Sequence, residues 1–335
     1  MRYIISPVIA SLLAGGAWAE VPLVVTDIPP VHSLVAQVMG DLGTPELLLA
    51  KGADEHDFQL RPSQAGALNA ADVVFWVGPS LTPWLERALE GVPASVGQVA
   101  LLDAAVEKMT YAEEAGHDAH GSEEHGHDEG AEAHADEHGE EHAGEHGEEH
   151  AGEHGEEEHD HSGTDPHAWL SPENATAWVG VIAADLSQRD PDNAATYAAN
   201  AAAAVQAIAA ADAATKAALA PVADKPFVVF HDAYRYYAAH YGLTIAGTLS
   251  EGDAAAPGAA RLVELQQVVA SGGAVCLFPE VQHDPAQIAQ IAEGSAARVG
   301  GALDPVGSSY DPGPGMYGAL LTGMAGTIAS CLSGE

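Results

Sequence analysis

Three histidines in this chain sit where a folded protein gathers ligands. His56 lies in Gly52-Ala53-Asp54-Glu55-His56-Asp57-Phe58, a loop after a candidate strand. His167 lies in Asp165-Pro166-His167-Ala168-Trp169, a loop just before a candidate helix. His231 follows the apolar run Phe227-Val228-Val229-Phe230 and precedes Asp232. Ligands of open α/β sheets bind beyond the carboxyl ends of strands, so these loops could converge in one cleft. Three imidazole nitrogens and one oxygen form a common tetrahedral shell for zinc. The acids beside them, Asp57, Asp165 and Asp232, are candidates to accept the second ring N–H and fix each ring.

Three further histidines lie outside the low-complexity segment described below. His32 begins the first helix, where it either approaches the cleft or is solvated. His240 fits the exposed end of a helix. Glu280 and His283 follow a strand and are read as outer residues of the cleft or as surface. Trp76 and Trp84 are read as core or lobe-interface residues. The chain contains no H-E-x-x-H and no nucleophile motif, which weighs against a zinc hydrolase built on the same three histidines. The net charge of −38 excludes a phosphate-binding surface as the main theme and suits attraction of cations.

The elements that must hold these residues alternate. Leu23–Ile28, Glu46–Ala50 and Val73–Val77 read as strands, with helices at Val31–Met39 and Ser63–Ala71. A helix is expected over Pro172–Leu186. A longer one, very rich in alanine, is expected from about Pro191 to Ala220, roughly 40 Å at 1.5 Å per residue. Strands then follow at Phe227–Phe230 and Ala274–Phe278. Helices are expected at Ala233–Tyr241, Arg261–Ala270, Pro285–Arg298 and Tyr317–Cys331. This alternation indicates parallel α/β layering, and the length suits two domains.

Two segments fall outside that pattern. Residues 1–19, MRYIISPVIASLLAGGAWA, combine a basic start, a short apolar core and an A-x-A site, and read as a cleaved signal peptide. No later stretch reads as a membrane span, so the mature chain is expected to be soluble. Residues 113–161 consist almost wholly of His, Glu, Asp, Gly and Ala, and hold twelve of the 18 histidines. EHGEEHAG occurs at 137–144 and again at 145–152. Too little apolar surface is present to offset the entropy of ordering, so disorder is expected. The histidines recur every fourth residue, but the interleaved glycines argue against a stable helix. A chain of many weak zinc sites is the favoured reading. Cys276 and Cys331 are the only cysteines, too far apart for a C-x-x-C zinc site. In an exported chain two thiols tend to pair.

The motifs G-A-D-E-H-D-F-Q-L-R-P-S at 52–63, A-D-V-V-F-W-V-G-P at 71–79 and D-P-H-A-W-L-S-P at 165–172 occur in order, followed by F-H-D-A-Y-R-Y-Y at 230–237 and L-D-P-V-G at 303–307. With the His-rich insert, they make the mature chain resemble the zinc-specific solute-binding proteins of ABC importers, the ZnuA-like group. That resemblance implies two α/β lobes, each a mostly parallel sheet flanked by helices, joined by a long rigid helix. Zinc would sit in the interlobe cleft on His56, His167 and His231. The fourth position would be Glu55, Asp304 or water. A disulfide in the second lobe would match Cys276 and Cys331. The implied organisation is a leader at 1–19, an N-terminal lobe at 20–190, a linker helix at 191–220 and a C-terminal lobe at 221–335. The implied role is periplasmic, non-enzymatic capture of Zn²⁺ by a monomer, with delivery to a permease and ATPase at the inner membrane and no nucleic-acid partner. A manganese-binding protein would favour more carboxylate oxygen, and a zinc buffer would lack the transporter.

Overall fold

The computed structural model describes residues 21–56, 58–111, 163–250 and 258–334. The leader, the His-rich insert and Asp57 lie outside the described residues.

Two four-stranded sheets, every pairing parallel, organise the molecule. The first comprises β1 (Val24–Thr26), β2 (Glu46–Leu47), β3 (Val73–Trp76) and β4 (Gly97–Ala100) in the order β2-β1-β3-β4. The second comprises β5 (Phe227–His231), β6 (Ile245–Ser250), β7 (Cys276–Leu277) and β8 (Arg298–Val299) in the order β6-β5-β7-β8. Helices α1 (Pro29–Met39), α2 (Pro62–Ala70) and α3 (Pro83–Leu89) accompany the first sheet. Helices α6 (Arg235–Tyr241), α7 (Ala259–Ala270) and α8 (Pro285–Ala292) accompany the second. Between the sheets run α4 (Pro172–Arg189) and α5 (Ala194–Leu219), and α9 (Met316–Ser333) closes the chain.

The central strands are apolar throughout because both sheet faces are covered. Side chains alternate between faces with period two. In β3, Val73 and Phe75 enter a central cluster, while Val74 and Trp76 face an outer one with Trp84. In β5, Phe227 and Val229 enter the same central cluster, while Val228 and Phe230 face the second outer one. One continuous core therefore runs from sheet to sheet through α1, α4, α5 and α9, and each sheet has its own outer layer.

The alanine-rich helix α5 spans 26 residues, about 39 Å, and follows a 3-10 turn at Pro191–Asn193. It packs on α4, α9 and α1. Tyr197 on its first turns donates its hydroxyl hydrogen bond to the buried Asp190 at 2.9 Å. Contrary to the sequence expectation, α9 is long and apolar enough to cross a membrane by length and composition. Here Tyr317, Leu320, Leu321, Ala325 and Ile328 of α9 are fully buried in the central cluster.

The disulfide Cys276–Cys331 ties β7 to the end of α9, with Cα atoms 6.3 Å apart. The helix expected over Pro285–Arg298 stops at Ala292. Gly294 adopts a left-handed φ of 73°, and Arg298–Val299 joins the sheet as β8.

Candidate metal centre

His56 and His167 are held by loops that the opposite half of the molecule helps to fix, and His231 by the end of a strand in its own half. After β2, Gly52 takes a left-handed φ of 77° and donates its N–H to Ser308 O at 3.0 Å. The His56 N–H is received by Asp54 Oδ1 at 2.8 Å, and Trp84 Nε1–H donates to the Glu55 carbonyl at 2.8 Å. His167 precedes a 3-10 turn at Ala168–Leu170. Its backbone N–H and its Nδ1–H both donate to Asp165 Oδ1 at 2.9 Å. This loop is anchored to the second half: Trp169 Nε1–H donates to Pro305 O at 2.9 Å, and Tyr236 donates to Asp165 O at 3.0 Å. His231 is the last residue of β5. Its Nδ1–H donates to Glu280 Oε2 at 2.6 Å, and Tyr234 holds Glu280 Oε1 at 2.9 Å.

The three rings meet. Ring centroids are 5.8 Å apart for His56 and His167, 6.2 Å for His56 and His231, and 5.4 Å for His167 and His231. Glu55 joins them: one donor atom from each of Glu55, His56, His167 and His231 lies within 4.8 Å of all the others. A carboxylate occupies Nδ1 of His167 and of His231, so Nε2 is the nitrogen each turns to the cluster. That arrangement selects the tautomer and raises the basicity of a metal-binding imidazole. The Glu55 Oε1 and His56 Nε2 atoms are 3.7 Å apart, both in nearly buried side chains.

Burial and the adjacent Asp54 push the Glu55 carboxyl up to about 8, partly offset by His231 and His167. A buried carboxyl with so high a pKa gains most when a cation replaces its proton. Burial likewise raises Asp232 to about 6, against the opposing pull of Arg235. The set of three imidazoles and one carboxylate, in a low-dielectric pocket with oriented rings, fits a divalent ion of borderline softness.

The family model described as "Zinc-uptake complex component A periplasmic", ZnuA, matches residues 24–331. The chain belongs to this family. A relative from Paracoccus denitrificans, named a high-affinity zinc uptake system protein, is 54% identical over 320 residues, covering 95% of this chain and 94% of its own. The protein of that name from Brucella suis is 39% identical over 311 residues, covering 92% and 91%. Among solved structures, one described as "Crystal structure of ZnuA" superposes with a TM-score of 0.69 at 22% identity, covering 93% of this chain and 99% of its own. A zinc-bound ZnuA deletion mutant superposes with a TM-score of 0.67 at 23% identity, covering 92% and 98%. These two share the fold.

Of the residues singled out in the sequence, His56, His167, His231 and Glu55 come together. Asp304 does not join them. Its Oδ1 accepts the N–H of Ser308 at 2.9 Å and its Oδ2 that of Ser309 at 2.9 Å, so it organises the turn that also receives Gly52. His32 is buried, donates from Nε2 to Pro45 O at 3.1 Å, and lines a separate groove with Asn200 and Pro314. His240 is not a simple surface residue. It lies 2.8 Å from Asp212 of α5 and 3.1 Å from Glu173 of α4. Asp165 orients its ring as expected, but Asp232 does not. It pairs with Arg235 at 3.5 Å, because β5 ends at His231 and Asp232 belongs to the turn that leads into α6. Glu280 takes that role for His231 from 49 residues away. Its place after β7, the strand beside β5, was the signal that could have found it.

Proposed function

We propose that this protein captures Zn²⁺ in the periplasm and delivers it to the permease and ATPase of an ABC importer. Zinc is the cargo, held by the Nε2 atoms of His56, His167 and His231 and by the carboxylate of Glu55. The observation that carries this reading is the buried convergence of those four donors, drawn from loops on both halves of the fold. Three imidazoles favour zinc over manganese, which takes more oxygen ligands. Family membership and the names of the Paracoccus and Brucella relatives support zinc uptake as the role. A single chain supplies all four donors, so the site needs no second copy, in keeping with a monomer.

The protein performs no reaction on its cargo. A zinc hydrolase would need an open coordination position and room for substrate. Here Glu55 takes the fourth position, and the cavity beside Glu55, His56 and His231 has a volume of about 10 Å³, the space of one water molecule.

The lobes are residues 20–190 and 221–335, and 191–220 is the connecting strut. Residues 1–19 are the export leader. Residues 113–161 act as a low-affinity zinc collector. The chain on either side of that insert is closed by an antiparallel bridge between Thr110 and Thr164, next to Asp165. The insert therefore leaves and returns within a few residues of His167.

Chelator competition tests the reading. Replacing His56, His167 or His231 by Ala should each weaken zinc binding by orders of magnitude. Undiminished affinity in two of the three variants would exclude the site.

A further inference from the structure

A second group of donors lies beside the first. His231, Glu280 and His283 offer atoms that all fall within 4.8 Å of one another. We propose that His283, with Glu280 and Asp54, forms an outer zinc station at the mouth of the buried centre, where the ion stops on its way in and out. The inference rests on the zinc-binding reading above.

Position supports it. One small cavity is lined both by Asp54, Glu280 and His283 and by Glu55, His56 and His231 of the buried centre. The side chain of His283 is 28% exposed, against 10% for His56, 6% for His231 and none for His167. It is thus the most accessible imidazole on the cavity that leads to the centre.

Ring orientation supports it as well. The His283 ring stacks flat on Phe230, with centroids 4.0 Å apart and planes 8° from parallel. That contact fixes the ring and turns Nε2 toward Glu280 Oε2, 3.8 Å away. An ionised carboxylate offers about four lone-pair directions. Glu280 uses three, for the His231 N–H, the His231 Nδ1–H and the Tyr234 hydroxyl. The remaining direction serves an ion shared with His283. Asp54, whose Oδ1 accepts the His56 N–H, lines the same cavity from the first half of the chain and leaves Oδ2 for the ion's shell.

The chemistry explains why such a station is useful. Zn²⁺ reaches the protein fully hydrated, and stripping an ion of its water all at once is costly. One imidazole and two carboxylates near solvent exchange some waters first. The buried donors then replace the rest, starting with His231, whose ring centroid is 6.3 Å from that of His283. The outer station has fewer imidazoles and more water, so it binds more weakly than the centre. It changes rates and leaves the affinity of the centre as it was.

The test uses the full chain loaded with one equivalent of Zn²⁺. Two variants remove the ring nitrogens in different ways. His283→Phe keeps the stacking volume, and His283→Gln keeps a polar side chain without blocking the mouth. Zinc uptake and its removal by excess EDTA are followed by stopped-flow tryptophan fluorescence, since the Trp169 ring is 5.2 Å from that of His167. Both variants should slow uptake and release by about tenfold or more, with Kd from chelator competition unchanged within about twofold. Rates equal to wild type in either variant would overturn the station. Slowing in His283→Phe alone would mean occlusion and would also overturn it. A Kd weakened with uptake unchanged would make His283 a support for the centre, again overturning it. Failure of the three-histidine centre is separately visible, as tight binding that survives loss of His56, His167 and His231.

Discussion

Replacing Glu55 by Gln should make the zinc-free protein more stable at alkaline pH while weakening its hold on zinc. Glu55 is 3% exposed, and its carboxyl rises from 4.5 to about 8 through burial and the neighbouring Asp54. Between those two values the folded protein holds a proton that the unfolded chain has lost. Stability from this group is therefore complete below about pH 4.5 and falls as pH rises toward 8. At 1.36 kcal/mol per pH unit the ceiling is about 5 kcal/mol. Relaxation and water near the pocket bring the expected loss to about 2–3 kcal/mol. Gln has nearly the same shape and no charge at any pH. Urea unfolding of the zinc-free wild type and E55Q at pH 5 and pH 9 measures the difference. The two should be nearly equal at pH 5, with E55Q ahead by about 2–3 kcal/mol at pH 9, or roughly 5 °C or more in Tm. A stability difference that does not grow with pH would refute the reasoning. The same carboxyl is about 0.9 protonated at pH 7 if its pKa is near 8, so zinc should expel about that much proton from it. E55Q should lack that release.

Further outcomes follow from the surrounding contacts. D165N and E280Q each remove the acceptor that orients a ring, and each should weaken zinc binding by about 10- to 100-fold in chelator competition without unfolding the chain. C276A/C331A opens a bridge between residues 55 apart in sequence and should cost about 4 kcal/mol in urea unfolding. A loss below about 1 kcal/mol would contradict that chain-entropy account. Deleting residues 113–161 should leave the fold and the tight site intact and remove the weaker zinc equivalents seen by calorimetry. A full-length protein that binds a single zinc would end the collector proposal.

The fold was legible where local chemistry repeats a plain pattern. The runs at Val73–Trp76 and Phe227–Phe230 are apolar on both faces, and alanine dominates α5. Four elements were missed for identifiable reasons. The α3 helix has only seven residues, β4 reads Gly-Gln-Val-Ala, β6 carries Gly and Thr at its centre, and β8 is two exposed residues. Each is defined by pairing or packing with a distant partner, which a local pattern does not carry. The same distinction divides the site. Asp165 is two residues from His167 and was found, whereas Glu280 reaches His231 from the end of the neighbouring strand β7 and was not assigned to it. The choice between Glu55 and Asp304 also depended on tertiary structure, since only the folded turn at Ser308 and Ser309 shows where the Asp304 carboxylate goes. The core shared by the two sheets was likewise invisible, because the alternation in each strand says which residues face inward but not that both halves face the same interior.

The most direct test of the account is to locate the tightly bound ion. Crystals of the full chain with one equivalent of zinc, measured on both sides of the zinc absorption edge, give the position without assumption. The account predicts one anomalous peak about 2.0–2.2 Å from Nε2 of His56, His167 and His231 and from a Glu55 carboxylate oxygen. A peak held by the histidines of residues 113–161, or a shell that omits two of the three imidazoles, would contradict it.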